Sequence, residues 1–556
     1  MSNASADFST LADLQLPALT SEQAPLFTTL EACKKWLTGV PITNAMEAQA
    51  QLLRQLSLLN RFSLPGDERL KIVEYLRSPT YFVHGESAKR FAARAVPLAP
   101  PEQAAFETSH ALWQALEIGY LHCLQDLLDQ VAKAASAGTG ATLGEDARKS
   151  AALAATRALT TALAIYLDHC SAGLMPAADF WRRLHKIYFA AEKLGVTQLA
   201  VADKLGHATS VTALASYLEP LLLAATQPHE LRSRQLAQVT YWAHRWATKV
   251  PLLREPPEDL RTPPLCIDLA SEQAATFQSP RVGATLRWLN LAELRKTIKQ
   301  RLIKLGQGVS PEELKLGKDC VQPACELLLR QVYIDWCKGG RTPIGDGGKA
   351  YQVLGSIDAI HYHLSGEIFR PPEKSIYLNK REYEEIATFG HIATRFEEDK
   401  KLQHSYIVED WQSLEEDIVD IRMQRPLNQP GSRLTLDQLV ALRAQGDAAY
   451  QLGKLTWASV DGPRTTLLAS IHLLPGAPTA VIVHNPGTSA VKSQYSRGFC
   501  LPAIEGLNQV DSVLTPNGWF RADHIIEIKT DSMQKVRLTR LIERGADFDR
   551  CAYEIL

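Results

Sequence analysis

The sequence has no excess of either charge. Its 60 lysines and arginines face 61 aspartates and glutamates, a formal net charge of -1, so no global attraction draws it to nucleic acid or to an anionic membrane. No run approaches the roughly 20 consecutive apolar residues needed to cross a bilayer. The N-terminus, MSNASADFSTLADL, has neither the basic nor the apolar segment of a secretion signal. A cytoplasmic protein without nucleic-acid binding or membrane insertion is the expectation. Nine cysteines are scattered without a C-x-x-C pair. Cys320, Cys325 and Cys337 lie closest together, in or at the end of an apolar helical stretch, and read as reduced, buried thiols rather than a metal site. The sequence also lacks G-x-S-x-G, H-E-x-x-H and any spaced carboxylate pair in a glycine-rich setting. No catalytic residue, no metal ligand and no resident cofactor is assigned, and an enzyme is not expected.

At 556 residues the chain is too long for one core, and about two to four domains are expected. Residues 1–25 are polar and read as loosely held. From 26 to 250 apolar residues recur at helical spacing. Asn44 and Glu47 form a capping-box-like start before Leu52, Leu53, Leu56 and Leu59. Pro65, Gly66 and Asp67 break the chain. Leu70, Val73 and Leu76 mark a second helix, expected to stop at Ser78 and Pro79. Pro100 and Pro101 open a long helix through Trp113 and Tyr120. Alanine-rich helices follow to about Lys249. No fixed repeat period appears, so a bundle or irregular solenoid is favoured over a repeat array. This part reads as a surface for a protein partner.

Pro251–Pro264, with five prolines, reads as a linker, and 265–337 as a helical connector. Beyond it the pattern turns to period two. Around the stretch Trp411–Met423, the segments Ala350–Leu364, Tyr450–Ser459, Thr465–Leu474 and Thr479–His484 read as strands separated by turn residues. Together they predict a small antiparallel barrel over 338–484, interrupted by a charged insert at 371–401. Residues 485–556 read as a β-rich extension. The fold class is therefore α+β multidomain: an all-α N-terminal part, then a β-barrel with a β-rich tail. Trp411 and Trp457 both fall in apolar strand patterns and are expected to be buried.

Gly345–Ala350 reads GDGGKA but fails as a phosphate loop. Pro343 stands where the first glycine is required, and Ala350 where Ser or Thr would hold magnesium. His361 and His363 are placed on one strand face, with no carboxylate or cysteine at a matching distance to complete a metal site. The acids Glu415, Glu416, Asp417 and Asp420 sit where the chain passes between strands, the ordinary place for a solvated turn.

The order of a basic entry, a strand, an insert, W-x-x-x-acid ending in Ile421-Arg422-Met423, and LGKLTW resembles the PilZ family, six-stranded barrels that bind cyclic di-GMP. The helical stretches PITNAMEAQAQLLRQLSLLNRFSLPGDERLKIVEYLRSP and WRRLHKIYFAAEKLGV look like the helical region of large bacterial PilZ proteins. The resemblance implies a cyclic di-GMP site formed by an R-x-x-x-R entry and a D/N-x-S-x-x-G segment. Here the entry matches Arg341 but places Gly345 at the second arginine. The second segment keeps an acid at Glu415, replaces the serine by Asp417 and the glycine by Asp420, with Arg422 beside it. At roughly 8 Å and an effective dielectric of about 40, each added acid repels each ligand phosphate by about 1 kcal/mol. Loss of a bidentate arginine adds to that penalty. The resemblance thus implies a cytosolic regulatory or scaffold protein of cyclic di-GMP signalling whose nucleotide binding is weak or lost. The alternative is a helical interaction scaffold whose barrel docks a partner without nucleotide.

Overall fold

The computed structural model describes residues 11, 14–137, 143–205, 209–258, 264–340, 345–371, 384, 386–388, 406–487, 493–507, 509–530 and 532–556. It divides into two compact units: Met1–Arg94 with Leu98–Thr342, and Ala95–Pro97 with Pro343–Leu556. The expected α+β multidomain class is borne out: a helical part precedes closed β-barrels.

The first unit is built on α1 (Leu30–Leu37), α2 (Ala45–Leu59), α3 (Gly66–Ser87), α4 (Pro100–Ser136), α5 (Glu145–Ala172), α6 (Asp179–Lys193), α7 (Ala213–Ala225), α8 (Ser233–Ala247), α9 (Ala292–Gly306) and α10 (Ala324–Cys337). Local chemistry sets several of their ends. At α2 the Asn44 Oδ1 accepts from the Glu47 N–H, while the Glu47 carboxylate accepts from the Asn44 amide rather than from its backbone. Pro100 and Pro101 open α4, and Glu102 accepts from the Ala99 N–H at 2.8 Å. The expected stop at Pro79 does not occur. α3 runs through it, because Ile72, Val73, Leu76, Thr80 and Val83 form one buried face. Packing of that face outweighs the local cost of about 3 kcal/mol for an internal proline.

Small residues let the longest helices approach closely. Ala151, Ala154, Ala155, Ala158 and Ala162 of α5 are all buried, and a Cβ at Gly119 of α4 would lie 2.8 Å from Val73 of α3. α5 is long and apolar enough to cross a membrane by length and composition, yet 67% of its most apolar window is buried inside the unit. Trp113, Trp242, Trp246 and Trp336 fill the core.

Four expectations for this unit change. The described part of residues 1–25 is held, with Leu11 buried and Thr20 hydrogen-bonded to Arg61 and Ser63. Pro251–Pro264 does not end the unit. After the short ribbon β1 (Val201–Ala202) and β2 (Ser210–Val211), strand β3 (Leu252–Leu253) starts inside that stretch and joins β4 (Leu265–Asp268), β5 (Thr276–Phe277) and β6 (Leu286–Leu289) in the order β3-β6-β4-β5. The stretch read as a helical connector therefore begins as sheet. Cys320 and Cys325 are not free thiols. They converge ahead of and at the first turn of α10, Cα atoms 5.0 Å apart, and form a disulfide. Cys337 is free and buried.

The second unit holds two six-stranded barrels. The first comprises β8 (Ala350–Leu354), β9 (Glu409–Glu416), β10 (Asp420–Pro426), β11 (Leu439–Ala444), β12 (Gln451–Val460) and β13 (Thr466–Leu473), with β7 (Gly345–Asp346) added against β9. Its order is β10-β13-β12-β11-β8-β9, and pairing of β9 with β10 closes the ring. The second is a closed barrel of β14 (Thr479–Asn485), β15 (Gln494–Leu501), β16 (Ser512–Pro516), β17 (Ile525–Lys529), β18 (Met533–Arg544) and β19 (Phe548–Ile555), ordered β14-β15-β16-β19-β18-β17. Thr479–His484, expected in the first barrel, is instead the opening strand of the second. What reads as a β-rich extension is a complete barrel, because β14 finds its partners in β15 and β17 rather than in the preceding hairpin.

Ala350–Leu364 is likewise not one strand. β8 ends at Leu354, and Ile357–Ser365 is helix α11, capped by Ser356 Oγ accepting from the Ala359 N–H and ended by Gly366 at φ 75°. His361 and His363 therefore lie two positions apart on a helix and do not share a face. Of the charged insert 371–401, only Pro371, Glu384 and residues 386–388 are described.

Trp411 is buried as expected, at 3% exposure, but Trp457 is half-buried. The β12–β13 register shifts between Leu455 and Trp457, and such a bulge re-aims the side chain that follows it. Trp411→Ala should cost about 3–5 kcal/mol, and Trp457→Ala clearly less. Chemical denaturation of the two variants checks this; equal losses would place both rings in the core.

Candidate functional site

The residues singled out in the sequence converge on the β9–β10 hairpin. Glu415 and Arg422 are cross-strand partners, and the Arg422 Nη1 lies 3.3 Å from the Glu415 carboxylate. Asp417 and Asp420 close the turn: the Asp417 N–H donates to the Asp420 carbonyl at 2.8 Å, and the Asp417 carboxylate accepts from the Ile418 N–H at 2.7 Å. The sequence there needs an acceptor that can satisfy turn N–H groups, which is what aspartate supplies. Asp420 pairs across to β13, its carboxylate 2.9 Å from His472 Nδ1. Arg341 lies outside the described residues. The backbone of Gly345 pairs with Glu416, which places the short β7 directly beside the hairpin.

The acids are thus not an open cluster. Burial pushes the Glu416 carboxyl upward, but hydrogen bonds from Lys349, Ser413 and Tyr351 hold it below the usual carboxylate range, with the Lys349 ammonium at 2.6 Å. Glu415, Glu416 and Asp420 each have a basic side chain within salt-bridge distance, and the turn backbone occupies Asp417. Around them Leu414, Ile418 and Val419 are exposed, Ile418 at 89%. Arg433, seven residues beyond Pro426 at the end of β10, donates to the carbonyls of Ala95 and Pro97 at 2.9 Å each.

Sequence reasoning missed a buried polar cluster of this barrel. Glu409 and Arg425 form a buried ion pair at 2.9 Å on β9 and β10. The Glu409 carboxylate also accepts from Trp411 Nε1 at 3.1 Å and from the Ser432 N–H at 2.6 Å. The Arg425 guanidinium lies over the Trp411 ring, 5.5 Å from its centroid. No spacing rule marks these residues. Only the closure of β9 against β10 brings them together. Among the described residues no group of three His, Cys, Asp or Glu side chains could hold a metal ion.

The chain defines a class of protein in which a helical unit is followed by tandem six-stranded β-barrels. Comparison with known proteins agrees at both ends of the chain. Residues 31–258 match the N-terminal domain of the cyclic-di-GMP receptor FimW, and residues 481–556 match the FimW C-terminal β-barrel domain, the segment that forms the second barrel. The cyclic-di-GMP receptor FimW of Pseudomonas aeruginosa is 28% identical over 216 residues, which is 38% of this chain and 33% of that protein. The chain therefore matches about a third of the length of this curated relative. No solved structure matches the chain. The first barrel lies between the two matched segments, and the matched domains carry the FimW name, so the PilZ resemblance remains one of strand order and motif.

Proposed function

We propose that this protein is a non-enzymatic, cytoplasmic regulator in cyclic di-GMP signalling, and that the hairpin of its first barrel binds the nucleotide weakly or not at all. The similarity to a cyclic-di-GMP receptor at both ends supports the class. The single observation that carries the weak-site reading is the local pairing of Glu415, Glu416 and Asp420 with Arg422, Lys349 and His472. A guanidinium paired with a carboxylate has much of its charge neutralised, and the carboxylate beside it repels an incoming phosphate. Signal output then passes through a protein partner of the helical unit. A second reading, a scaffold that docks a partner without nucleotide, draws on the exposed Leu414, Ile418 and Val419 at the hairpin.

Calorimetric titration of the full chain with cyclic di-GMP tests the site. Hairpin binding by wild type should be weaker than about 10 μM, an affinity near 7 kcal/mol. The triple change Gly345→Arg, Asp417→Ser and Asp420→Gly should create or strengthen binding by removing two acids and adding a clamp arginine. Loss of the His472 contact and a glycine within β10 should destabilise that variant by only about 1–2 kcal/mol. Micromolar wild-type binding that Arg422→Ala abolishes would overturn the weak-site reading. Failure of the triple variant to bind would favour the partner-docking scaffold.

A further inference from the structure

The second barrel carries a hydrogen-bonded chain of three side chains on its outer face. His484 on β14 stands opposite Glu527 on β17 and Tyr495 on β15 in the strand register. Val483, Ile526 and Ile528, their neighbours in sequence, are buried, so alternation turns His484 and Glu527 outward. The His484 Nδ1–H donates to the Glu527 carboxylate at 2.7 Å. That bond leaves Nε2 of the neutral ring as an acceptor, and the Ser493 hydroxyl, directly before β15, donates to it at 2.8 Å. Tyr495 stacks on the imidazole, with ring centroids 4.0 Å apart and planes 13° apart. The ring is thus held at both nitrogens and on one face.

Stability does not require this chain. Ser493 is exposed, so water would satisfy its hydroxyl as well as the imidazole does, and the bond adds little to folding. What the bond changes is reactivity. A serine is activated when a base lies within about 2.6–3.2 Å of its hydroxyl and a third group orients that base. Both distances here fall in that range. Glu527 is the positioning residue: it fixes the tautomer and stabilises the imidazolium formed when the serine proton is taken.

We propose that Ser493 is an acyl-acceptor site, modified by esters or thioesters of small acids that carry a good leaving group. The site works independently of how either barrel treats cyclic di-GMP. The Ser493 Oγ forms a bond to the acyl carbon as its proton passes to His484 Nε2. The bond from that carbon to the leaving group then breaks, and the leaving group departs with the electron pair and the proton from Nε2. The imidazole returns to its neutral state and the acyl group stays on Ser493 as an ester. One such mark on each chain is a covalent input to a regulator rather than turnover.

The test incubates the full chain with p-nitrophenyl acetate and quantifies acetylated peptides by mass spectrometry. Acetyl should accumulate on Ser493 at least about 100-fold faster than on Ser57 and Ser532, which are also exposed. Ser493→Ala should remove the mark. His484→Gln should slow it by about 100-fold or more. Glu527→Gln keeps the shape of the side chain and a hydrogen bond to the ring but not the charge. It should slow labelling at least about tenfold, which loss of a merely structural contact would not do. Melting temperatures of the three variants should match wild type. The proposal is overturned if acetyl does not accumulate on Ser493, or does so no faster than on Ser57 and Ser532. It is equally overturned if either His484→Gln or Glu527→Gln, folded by its melting temperature, is labelled as fast as wild type.

Discussion

Acidification from pH 7 towards pH 4.5 should destabilise the helical unit by about 2.4 kcal/mol for each of two buried histidines. His122 and His185 are 5% and 0% exposed, and burial lowers each from 6.5 to about 4. The geometry of His185 fits a neutral ring. Its Nε2 donates to the Gln273 carbonyl at 2.8 Å, leaving Nδ1 to accept from the Tyr217 hydroxyl at 2.7 Å. Between about pH 6.5 and 4 the unfolded chain takes up protons that the folded chain refuses. Stability therefore rises with pH across this window, is complete above about 6.5, and is lost as pH falls. Two such groups give a slope of up to about 2.7 kcal/mol per pH unit. Urea unfolding at a series of pH values measures it. His185→Gln should remove about one proton from the slope; a wild-type stability flat from pH 7 to 5 would overturn the assignment.

Glu409→Ala should destabilise the first barrel by about 3–5 kcal/mol, because it strands a buried arginine. Arg425 is 2% exposed and stays anchored to the Ser432 carbonyl at 3.2 Å and the Gln429 carbonyl at 3.4 Å. It would keep its charge and its carbonyl contacts but lose its counterion. Trp411 Nε1 and the Ser432 N–H would lose their acceptor in the same step. Glu409→Gln, which retains an acceptor, should cost less. The double variant Glu409→Leu with Arg425→Met should recover much of the loss, since an apolar pair of similar volume avoids desolvating two charges. Denaturant unfolding compares the three. A Glu409→Ala barrel as stable as wild type would mean that the pair is solvated.

The candidate site was legible as a place but not as a state. Spacing in WQSLEEDIVDIRM locates the hairpin, and its acids lie where a turn was expected. That Arg422 belongs to Glu415 follows from the β9–β10 register, and that His472 belongs to Asp420 follows from β10 pairing with β13. Neither register is written in either segment alone. Arg77 of α3 and Arg157 of α5 show the same limit: both stand at the Asp203 carboxylate, at 2.9 and 3.6 Å. They lie on helices separated by the whole of α4, and nothing in EYLRSP or in the alanine-rich α5 marks them as neighbours.

Composition and periodicity by themselves determined the switch from helix to strand, the long helix opened by Pro100, and a small antiparallel barrel around Trp411. Each rests on short-range physics: proline and capping geometry, and apolar spacing at 3.6 or 2 residues. Tertiary structure decided the rest. Pro79 stays helical because the buried face of α3 outweighs the missing bond. The Cys320–Cys325 disulfide forms because the entry to α10 brings the two cysteines together. Ile357–Ser365 is a helix because Ser356 and Gly366 cap a run that is apolar at either period. Thr479–Asn485 joins the second barrel because ring closure rewards the strand that completes all its backbone pairs, and that choice depends on partners up to about fifty residues away, beyond the reach of any local pattern.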